Sequence, residues 1–250
     1  MLAGGSTMDE KKSLNWNSIA ELRKNFIDDY VKTKRTHKLE SEYNYEKSLI
    51  DDYNGRQLLE LLQNVDDAYR DKVTNSKDEL DEFIEVDITF EDDVLSIGNT
   101  GTAFTPETIE RLCEGGASSK SYNNIGNKGI GFRSLLNDAE WIELYSADFS
   151  IRFSEKFTTE CFKEYRNYPI VLEQLKGWVK DYPLSFPVMR CPQEIDKFEH
   201  KYDTLIKIKI KEENINKGSN SIKSQLEQPF YKSLLFLPYI NQIKIKYELD

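Results

Sequence analysis

The chain has 250 residues, of which 38% are hydrophobic and 31% are charged, and its formal net charge is −10 at pH 7. That length and composition allow one large or two small globular domains and exclude a disordered chain. The acidic balance disfavours nonspecific binding to nucleic acid or to anionic lipid, so neither direct nucleic-acid contact nor a membrane is expected.

Helical patterns dominate the first part of the chain. Residues 1–12 are expected to form a flexible N-terminus, whose first residues either are native or precede a native start at Met8. Apolar residues then recur at helical spacing from residue 13 to about residue 34, and a polar stretch continues to residue 52. A second helix is predicted from residue 56 to about residue 72.

The remainder of the chain mixes strands with short helices. Segments with the apolar alternation of strands are 83–90, 94–97, 141–145, 149–153, 205–210 and 243–247. Predicted helices are 106–113, 131–137 and 221–236. Residues 154–201 carry little periodic signal. This order predicts one α+β domain, with helices packed on one face of a mostly antiparallel sheet.

The second predicted helix places a carboxylate and a carboxamide on one face. Glu60, Asn64 and Asp67 have the spacing i, i+4, i+7 and lie opposite the apolar stripe of this helix. A carboxylate in reach of water can act as a general base, and a neutral carboxamide oxygen suits Mg²⁺ beside phosphate oxygens. The alternative is an ordinary amphipathic helix with a solvated polar face. The adjacent Asp66 points away from this face.

A polar residue and a glycine follow the second strand of the predicted hairpin. Gly101 permits the backbone to turn beneath a flat ligand while Asn99 reads the edge of that ligand. The alternative is an Asx-type turn that only joins the strand to the next helix.

Three glycines within six residues precede the helix predicted at 131–137. Gly126, Gly129 and Gly131 expose successive N–H groups, and the following helix offers its positive end, so both features favour a polyphosphate. Lys128 adds a cation. The order GxxGxG differs from the dinucleotide fingerprint and from the Walker A pattern. A tight turn without a ligand is the alternative.

The segment 115–120, with the sequence GGASSK, begins the loop that joins these two glycine-containing regions. Its glycines can act as a hinge, the hydroxyls of Ser118 and Ser119 can reach phosphate, and Lys120 can neutralise negative charge. We interpret this loop as a lid over a bound nucleotide. A disordered surface loop is the alternative.

Together these residues resemble the GHKL ATPases, the superfamily of DNA gyrase, MutL, histidine-kinase catalytic domains and the ninety-kilodalton heat-shock chaperone. The helix residues match the motif Glu-x-x-x-Asn-x-x-Asp, and 117–120 is similar to the lid motif. Residues 126–132 match the phosphate-contacting motif, and Thr204 resembles the threonine of the final motif. The resemblance is strongest to the branch of sacsin and the plant NO VEIN-type proteins, through 118–120, 129–134 and 233–238.

This resemblance spans about residues 14 to 250 and implies a Bergerat-type two-layer α/β sandwich that binds ATP and Mg²⁺. Glu60 would be the catalytic residue, and Asn64 would bind the metal. The nucleotide-binding residues implied are Asn64, Asp67, Asn99, Gly101, Phe104, Ser118, Ser119, Lys120, Gly126, Lys128, Gly129, Ile130, Gly131, Phe132 and Thr204.

Two positions depart from the superfamily pattern. Asn99 stands where most members have an aspartate that accepts the amino hydrogen of adenine, and Asp203 stands where a glycine commonly precedes the threonine. The expected function is slow, Mg²⁺-dependent ATP hydrolysis that drives a conformational switch. A module that senses ATP or ADP with little turnover is the alternative.

The organisation and setting of the domain follow from the same residues. Residues 13–250 are expected to form a single domain, the N-terminal part of a longer protein, whose partners are the nucleotide and either further domains or a homodimer partner. Its three cysteines lack CxxC spacing, which provides no zinc site and suits a cytoplasmic location.

Overall fold

The computed structural model describes residues 16–32, 36–52, 55–75, 84–114, 130–169, 171, 186–215, 218, 221–227 and 235–247. The helices are α1 (Ile19–Val31), α2 (Thr36–Asp52), α3 (Gln57–Asn75), α4 (Pro106–Glu114), α5 (Ile130–Ser134), α6 (Glu155–Lys163), α7 (Glu212–Ile215) and α8 (Ile222–Glu227), with a short 3₁₀ helix at Val188–Arg190. The strands are β1 (Ile84–Glu91), β2 (Val94–Asn99), β3 (Ala139–Ser146), β4 (Phe149–Phe153), β5 (Gln193–Glu194), β6 (Thr204–Ile210) and β7 (Ile240–Tyr247).

Within the described residues, the strands form one seven-stranded sheet in the order β5-β4-β3-β6-β2-β1-β7. Every neighbouring pair is antiparallel except β1 and β7, which are parallel. The β1–β2 hairpin turns at Asp92 and Asp93, whose φ angles of 51° and 61° match the positive values of a type I′ turn.

Apolar side chains from successive strands form rows across the face of the sheet that meets the helices. One such row, read across β4, β3, β6, β2 and β1, is Ile151, Leu144, Ile206, Ile97 and Ile88. All of these side chains are buried in the hydrophobic core. The predicted α+β class is therefore confirmed, as a two-layer α/β sandwich with a mostly antiparallel sheet.

Helix α3 contributes its apolar stripe to this core, as the sequence predicts. The buried residues of the stripe are Leu58, Leu61, Leu62, Val65 and Tyr69. At the start of α3, Gln57 donates to Asp138 over 2.9 Å, and Gln225 donates to Gln57 over 2.8 Å. Burial makes such bonds costly to break, so they fix the position of α3 over the sheet.

Asp66 provides a second attachment of α3. Its Oδ1 accepts the backbone N–H groups of Tyr239 at 2.8 Å and Ile240 at 3.2 Å, where β7 begins. Burial raises the pKa of Asp66, while these two hydrogen bonds oppose that rise. The side chain thus points away from the polar face of α3, as predicted.

The polar stretch that ends at residue 52 folds as helix α2, which hydropathy alone does not predict. Charged residues face the interior of the protein here. Glu46 accepts the N–H groups of Val188 at 2.7 Å and Met189 at 3.2 Å, and Glu42 accepts the Arg190 guanidinium at 2.8 Å. The helix is therefore held by polar contacts to a distant segment, and a periodicity search does not detect such contacts.

Residues 195–203, the strap, cross the opposite face of the sheet. The Phe198 ring lies 5.4 Å from the Tyr145 ring, and the Lys207 ammonium lies 4.4 Å from the Phe198 ring centre. Near its end, Tyr202 donates its hydroxyl hydrogen to Asp87 over 2.7 Å. This segment covers part of the second face of the sheet, which explains why Tyr145 on β3 is buried.

Other boundaries differ modestly from the prediction. Helix α1 begins at Ile19 rather than near residue 13, because the Ser18 hydroxyl accepts the Glu21 N–H and caps the helix. Helix α8 is described from Ile222 to Glu227; positions 228–234 of the predicted helix lie outside the described residues, and 235–236 form a turn. None of the helices in the described part of the chain has the length and apolar character that a membrane span needs.

Candidate functional site

Three polar residues end the apolar rows of the sheet, and two of them, Asn99 and Thr204, line a cavity. Ser146 on β3 pairs with Thr204 on β6, and Thr204 pairs with Asn99 on β2. We call these three residues the floor row. Asn99 and Ser146 follow an alternation of helix-facing apolar residues, and Thr204 precedes one, so all three side chains also face the helices. All three are buried.

The cavity lies between Asn99 and Thr204 of the floor row and helices α3, α4 and α5, and its volume is about 90 Å³. Its lining residues are Leu61, Asn64, Val65, Ala68, Asn99, Thr102, Ala103, Phe104, Thr108, Arg111, Leu112, Phe132, Thr204 and Ile206. Small-molecule sites usually enclose roughly 300–1,000 Å³, so this space fits one part of a ligand, such as a flat ring. Five of the predicted nucleotide-binding residues therefore meet here: Asn64, Asn99, Phe104, Phe132 and Thr204.

Hydrogen bonds hold the floor row and the turn after β2 in place. The Ser146 hydroxyl accepts the Phe104 N–H at 2.9 Å and lies 2.7 Å from the Thr204 hydroxyl. Thr204 in turn lies 3.3 Å from the Thr102 carbonyl oxygen. Thr102 donates its own hydroxyl hydrogen to the Ala68 carbonyl of α3 over 3.0 Å. The cavity thus has a rigid polar side that is linked to the helix opposite.

Asn99 adopts the Asx-type turn that the sequence allows, and it also lines the cavity. Its Oδ1 accepts the Gly101 N–H at 3.1 Å. Gly101 itself does not line the cavity; it supplies this N–H group and a tight turn, in which an added Cβ would lie 3.0 Å from the Asn99 Oδ1. The two interpretations of this segment are therefore compatible.

The residues on the polar face of α3 have different surroundings. Asn64 lines the cavity, whereas Glu60 and Asp67 do not. Asp67 forms an ion pair with Arg70 at 2.6 Å, and Glu60 forms one with Arg56 at 3.2 Å. The carboxamide is therefore the group of this face that a ligand in the cavity would meet.

Glu60 lies one helical turn before Asn64, and its carboxyl group is a weaker acid than that of an ordinary surface glutamate. Partial burial raises the pKa of Glu60, and the neighbouring Arg56 opposes that rise. A raised pKa makes the carboxylate a better proton acceptor at neutral pH than an ordinary surface glutamate.

Arg111 and Thr108 are lining residues that the sequence analysis missed. They lie three residues apart on α4, where the buried Leu112 also lines the cavity. Arg111 is exposed, and among the described residues no carboxylate lies within ion-pair distance of it. The sequence does contain an indication of Arg111, because this cation lies a little more than one turn into the helix that follows the Asn99 segment.

Several predicted site residues fall outside the described part of the chain. These are Ser118, Ser119, Lys120, Gly126, Lys128 and Gly129, together with the rest of the predicted lid and glycine-rich loop. Ile130 and Gly131 begin helix α5, and their side-chain environments also lie outside the description.

The donor set of the cavity fits a metal ion that a phosphate ligand brings with it. Among the described residues there is no group of three or more His, Cys, Asp or Glu side chains that could hold a metal. Asn64 offers a neutral carboxamide that makes no hydrogen bond with another described residue. Mg²⁺ commonly keeps several waters and takes few protein ligands beside substrate phosphates, so a single carboxamide oxygen is compatible with a Mg²⁺ ion that phosphates also hold.

Comparison with known proteins adds a partial relationship. No protein-family model matches the chain. A curated relative is Protein NO VEIN of Arabidopsis thaliana, which is 34% identical over 100 residues. This stretch of the chain is NO VEIN-like. The match covers 38% of the chain and 3% of the relative, so the chain spans a very small part of that protein's length.

Proposed function

We propose that this chain is a GHKL-type module that binds a purine nucleoside triphosphate with Mg²⁺ and hydrolyses it slowly. ATP is the substrate that the resemblance implies. One observation carries the proposal: predicted ligand-binding residues from four distant segments of the sequence line a single cavity. The NO VEIN-like stretch supports the same branch of the superfamily.

The chemistry of the lining residues indicates where the base and the phosphates of the nucleotide would bind. The floor row lies among apolar side chains such as Val65 and Ile206, where an uncompensated charge would be costly, so a neutral base fits there. Arg111 is exposed and fits the phosphates. Asn64 would hold Mg²⁺ together with phosphate oxygens, and the ion would neutralise charge on the triphosphate.

Glu60 would act as general base for hydrolysis. Its carboxylate would orient a water for attack on the terminal phosphate and accept a proton from that water. The nucleotide state would then control further domains or a dimer partner. The predicted lid would take part in this switch, although it falls outside the described residues.

A nucleotide sensor without turnover remains the second candidate, and one observation favours it. Glu60 pairs with Arg56 and does not line the cavity. The two candidate functions share the binding site and differ only in whether this carboxylate takes part in hydrolysis.

Calorimetry with ATP, in the presence and absence of Mg²⁺, tests the binding site. We expect Asn64→Ala to weaken Mg²⁺-dependent binding about tenfold or more, since a lost metal ligand has no replacement among the described residues. Asn44→Ala, at an exposed position of α2, is the matched control and should bind normally. Equal affinities of both variants and the wild type would remove Asn64 from the site.

Phosphate release separates the enzyme from the sensor. Glu60→Gln should abolish release and retain nucleotide binding if the chain is an ATPase. The control Glu91→Gln changes an exposed carboxylate at the end of β1. A wild-type protein that binds nucleotide but releases no phosphate over the background rate would establish the sensor instead.

A further inference from the structure

The orientation of the Asn99 carboxamide is fixed by its own backbone. Only the oxygen of the carboxamide can accept the Gly101 N–H, and that bond is 3.1 Å long. The nitrogen Nδ2 is therefore the other end of the group. Asn99 is 4% exposed and lines the cavity, so the residue has little freedom to turn over without losing this bond.

The other hydroxyls of the floor row are already engaged with the protein. Ser146 Oγ lies 2.9 Å from the Asp203 carbonyl oxygen and 2.7 Å from Thr204 Oγ1, and Thr204 Oγ1 lies 3.3 Å from the Thr102 carbonyl oxygen. Within the described part of the chain, no residue accepts a hydrogen bond from Asn99 Nδ2. This donor is consequently the polar group of the floor row that is left for a ligand.

We infer that Asn99 donates a hydrogen bond to the base, and that the site prefers a purine with a carbonyl oxygen at this edge, guanine or hypoxanthine, over adenine. The inference rests on the proposed nucleotide site. It departs from the ATP that the resemblance implies, because an aspartate at this position would accept a hydrogen bond and Asn99 supplies a donor.

The chemistry of the purine edges sets the direction of the preference. Guanine presents the acceptors O6 and N7 along one edge, whereas adenine presents the N7 acceptor beside an amino donor. A buried amide donor that faces an amino donor leaves both groups without a hydrogen bond. A buried donor left without a partner lowers affinity by roughly 5- to 150-fold, and that range is the expected preference.

Calorimetry with Mg²⁺ and ATP, GTP or inosine triphosphate tests this inference. ATP and inosine triphosphate differ at C6, where a carbonyl replaces the amino group, and at the adjacent N1, which accepts a hydrogen bond in adenine and donates one in hypoxanthine. Their affinity ratio therefore reports on this edge of the base, and the change of that ratio on substitution of Asn99 isolates the contribution of this residue. GTP adds only the 2-amino group. We expect the wild type to bind inosine triphosphate and GTP more tightly than ATP.

Asn99→Asp retains an oxygen for the Gly101 N–H and nearly the same volume, and it replaces the donor with an acceptor. It should reverse the preference in favour of ATP. The added negative charge weakens every nucleotide alike and cancels in the ratio. Asn241→Asp, an exposed position on β7, is the control for that charge and should leave the ratio unchanged.

The outcomes are distinct. Tighter binding of ATP than of inosine triphosphate by the wild type overturns the inference and leaves the nucleotide site standing. An unchanged ratio in a folded Asn99→Asp protein, checked by its thermal unfolding, also overturns it. Failure of all three nucleotides to bind the wild type overturns the proposed function and the inference together.

Discussion

Replacement of Gly98 by alanine would place a methyl group inside the ring of Tyr202. A Cβ built on Gly98 lies 2.4 Å from ring Cε2 and 2.5 Å from ring Cδ2. Carbon atoms in contact lie about 3.5–4.0 Å apart, so the ring must move by about 1 Å or more. Gly98 is needed here because the strap packs directly on β2.

The cost of this substitution has two sources. Overpacking usually costs about 1–3 kcal/mol. Displacement of the ring also strains the 2.7 Å hydrogen bond from the Tyr202 hydroxyl to Asp87. The pKa of Asp87 is lowered, first by its hydrogen bond with Lys201, so the acceptor is a carboxylate, and bonds to charged groups contribute about 1.5–3 kcal/mol. Asp87 is partly solvated, so we expect a total loss of about 2–4 kcal/mol.

Urea unfolding of a double-mutant cycle measures this value. In a Tyr202→Ala background the clash is absent, and an alanine in a strand makes the folded state more stable than a glycine does by about 0.5–1 kcal/mol. Gly98→Ala should therefore be neutral or slightly stabilising there, which gives a coupling energy of at least about 2 kcal/mol. An equal cost in both backgrounds would refute the packing of the strap on β2.

Two further predictions concern carboxylates. Arg56→Ala should move the acidic limb of the pH–rate profile for phosphate release to higher pH. Arg56 opposes the effect of burial, which raises the pKa of Glu60, and the active form of Glu60 is the carboxylate. The shift should shrink at high salt, and the absence of a shift at low salt would contradict the role of Glu60 as the base. Glu46→Ala should lower the free energy of unfolding by about 1–3 kcal/mol for each of the two buried N–H groups that lose their acceptor, whereas Glu46→Gln, which keeps one acceptor oxygen, should cost less in the same urea titration.

The sheet was predictable because its signal is local. Residues of the β1–β2 hairpin and of β3, β4 and β6 alternate with period two, and each alternation reports one buried face. The ends of these alternations also identify the floor row, since Ile142 and Leu144 are followed by Ser146 at the same spacing. Asn99 is predicted from the strand end and the glycine that follows it, and Thr204 from the family resemblance, whereas Ser146 is not among the predicted residues.

Helix α2 and the strap were not predictable, because their stability comes from distant partners. Glu42 and Glu46 are polar in any hydropathy scale, yet both face Arg190 and its neighbours, 142 to 148 positions later in the chain. The strap forms neither a helix nor a strand, and individual contacts, such as that of Tyr202 with Gly98, hold it in place. Periodicity cannot report pairings that exist only after the sheet has formed.

The ion pair between Arg56 and Glu60 does not by itself decide between an ATPase and a sensor. The Arg56 side chain is 59% exposed, and such exposed pairs contribute about 0–1 kcal/mol. Release of Glu60 from Arg56 would therefore slow a reaction by at most about fivefold. That factor is small beside the roughly 10²–10⁴-fold that a general base contributes, so a carboxylate paired in this way can still catalyse hydrolysis. What separates the two functions is whether the Glu60 carboxylate acts on the water beside the bound phosphates, and phosphate release by the Glu60→Gln variant, compared with that of the wild type, answers that question.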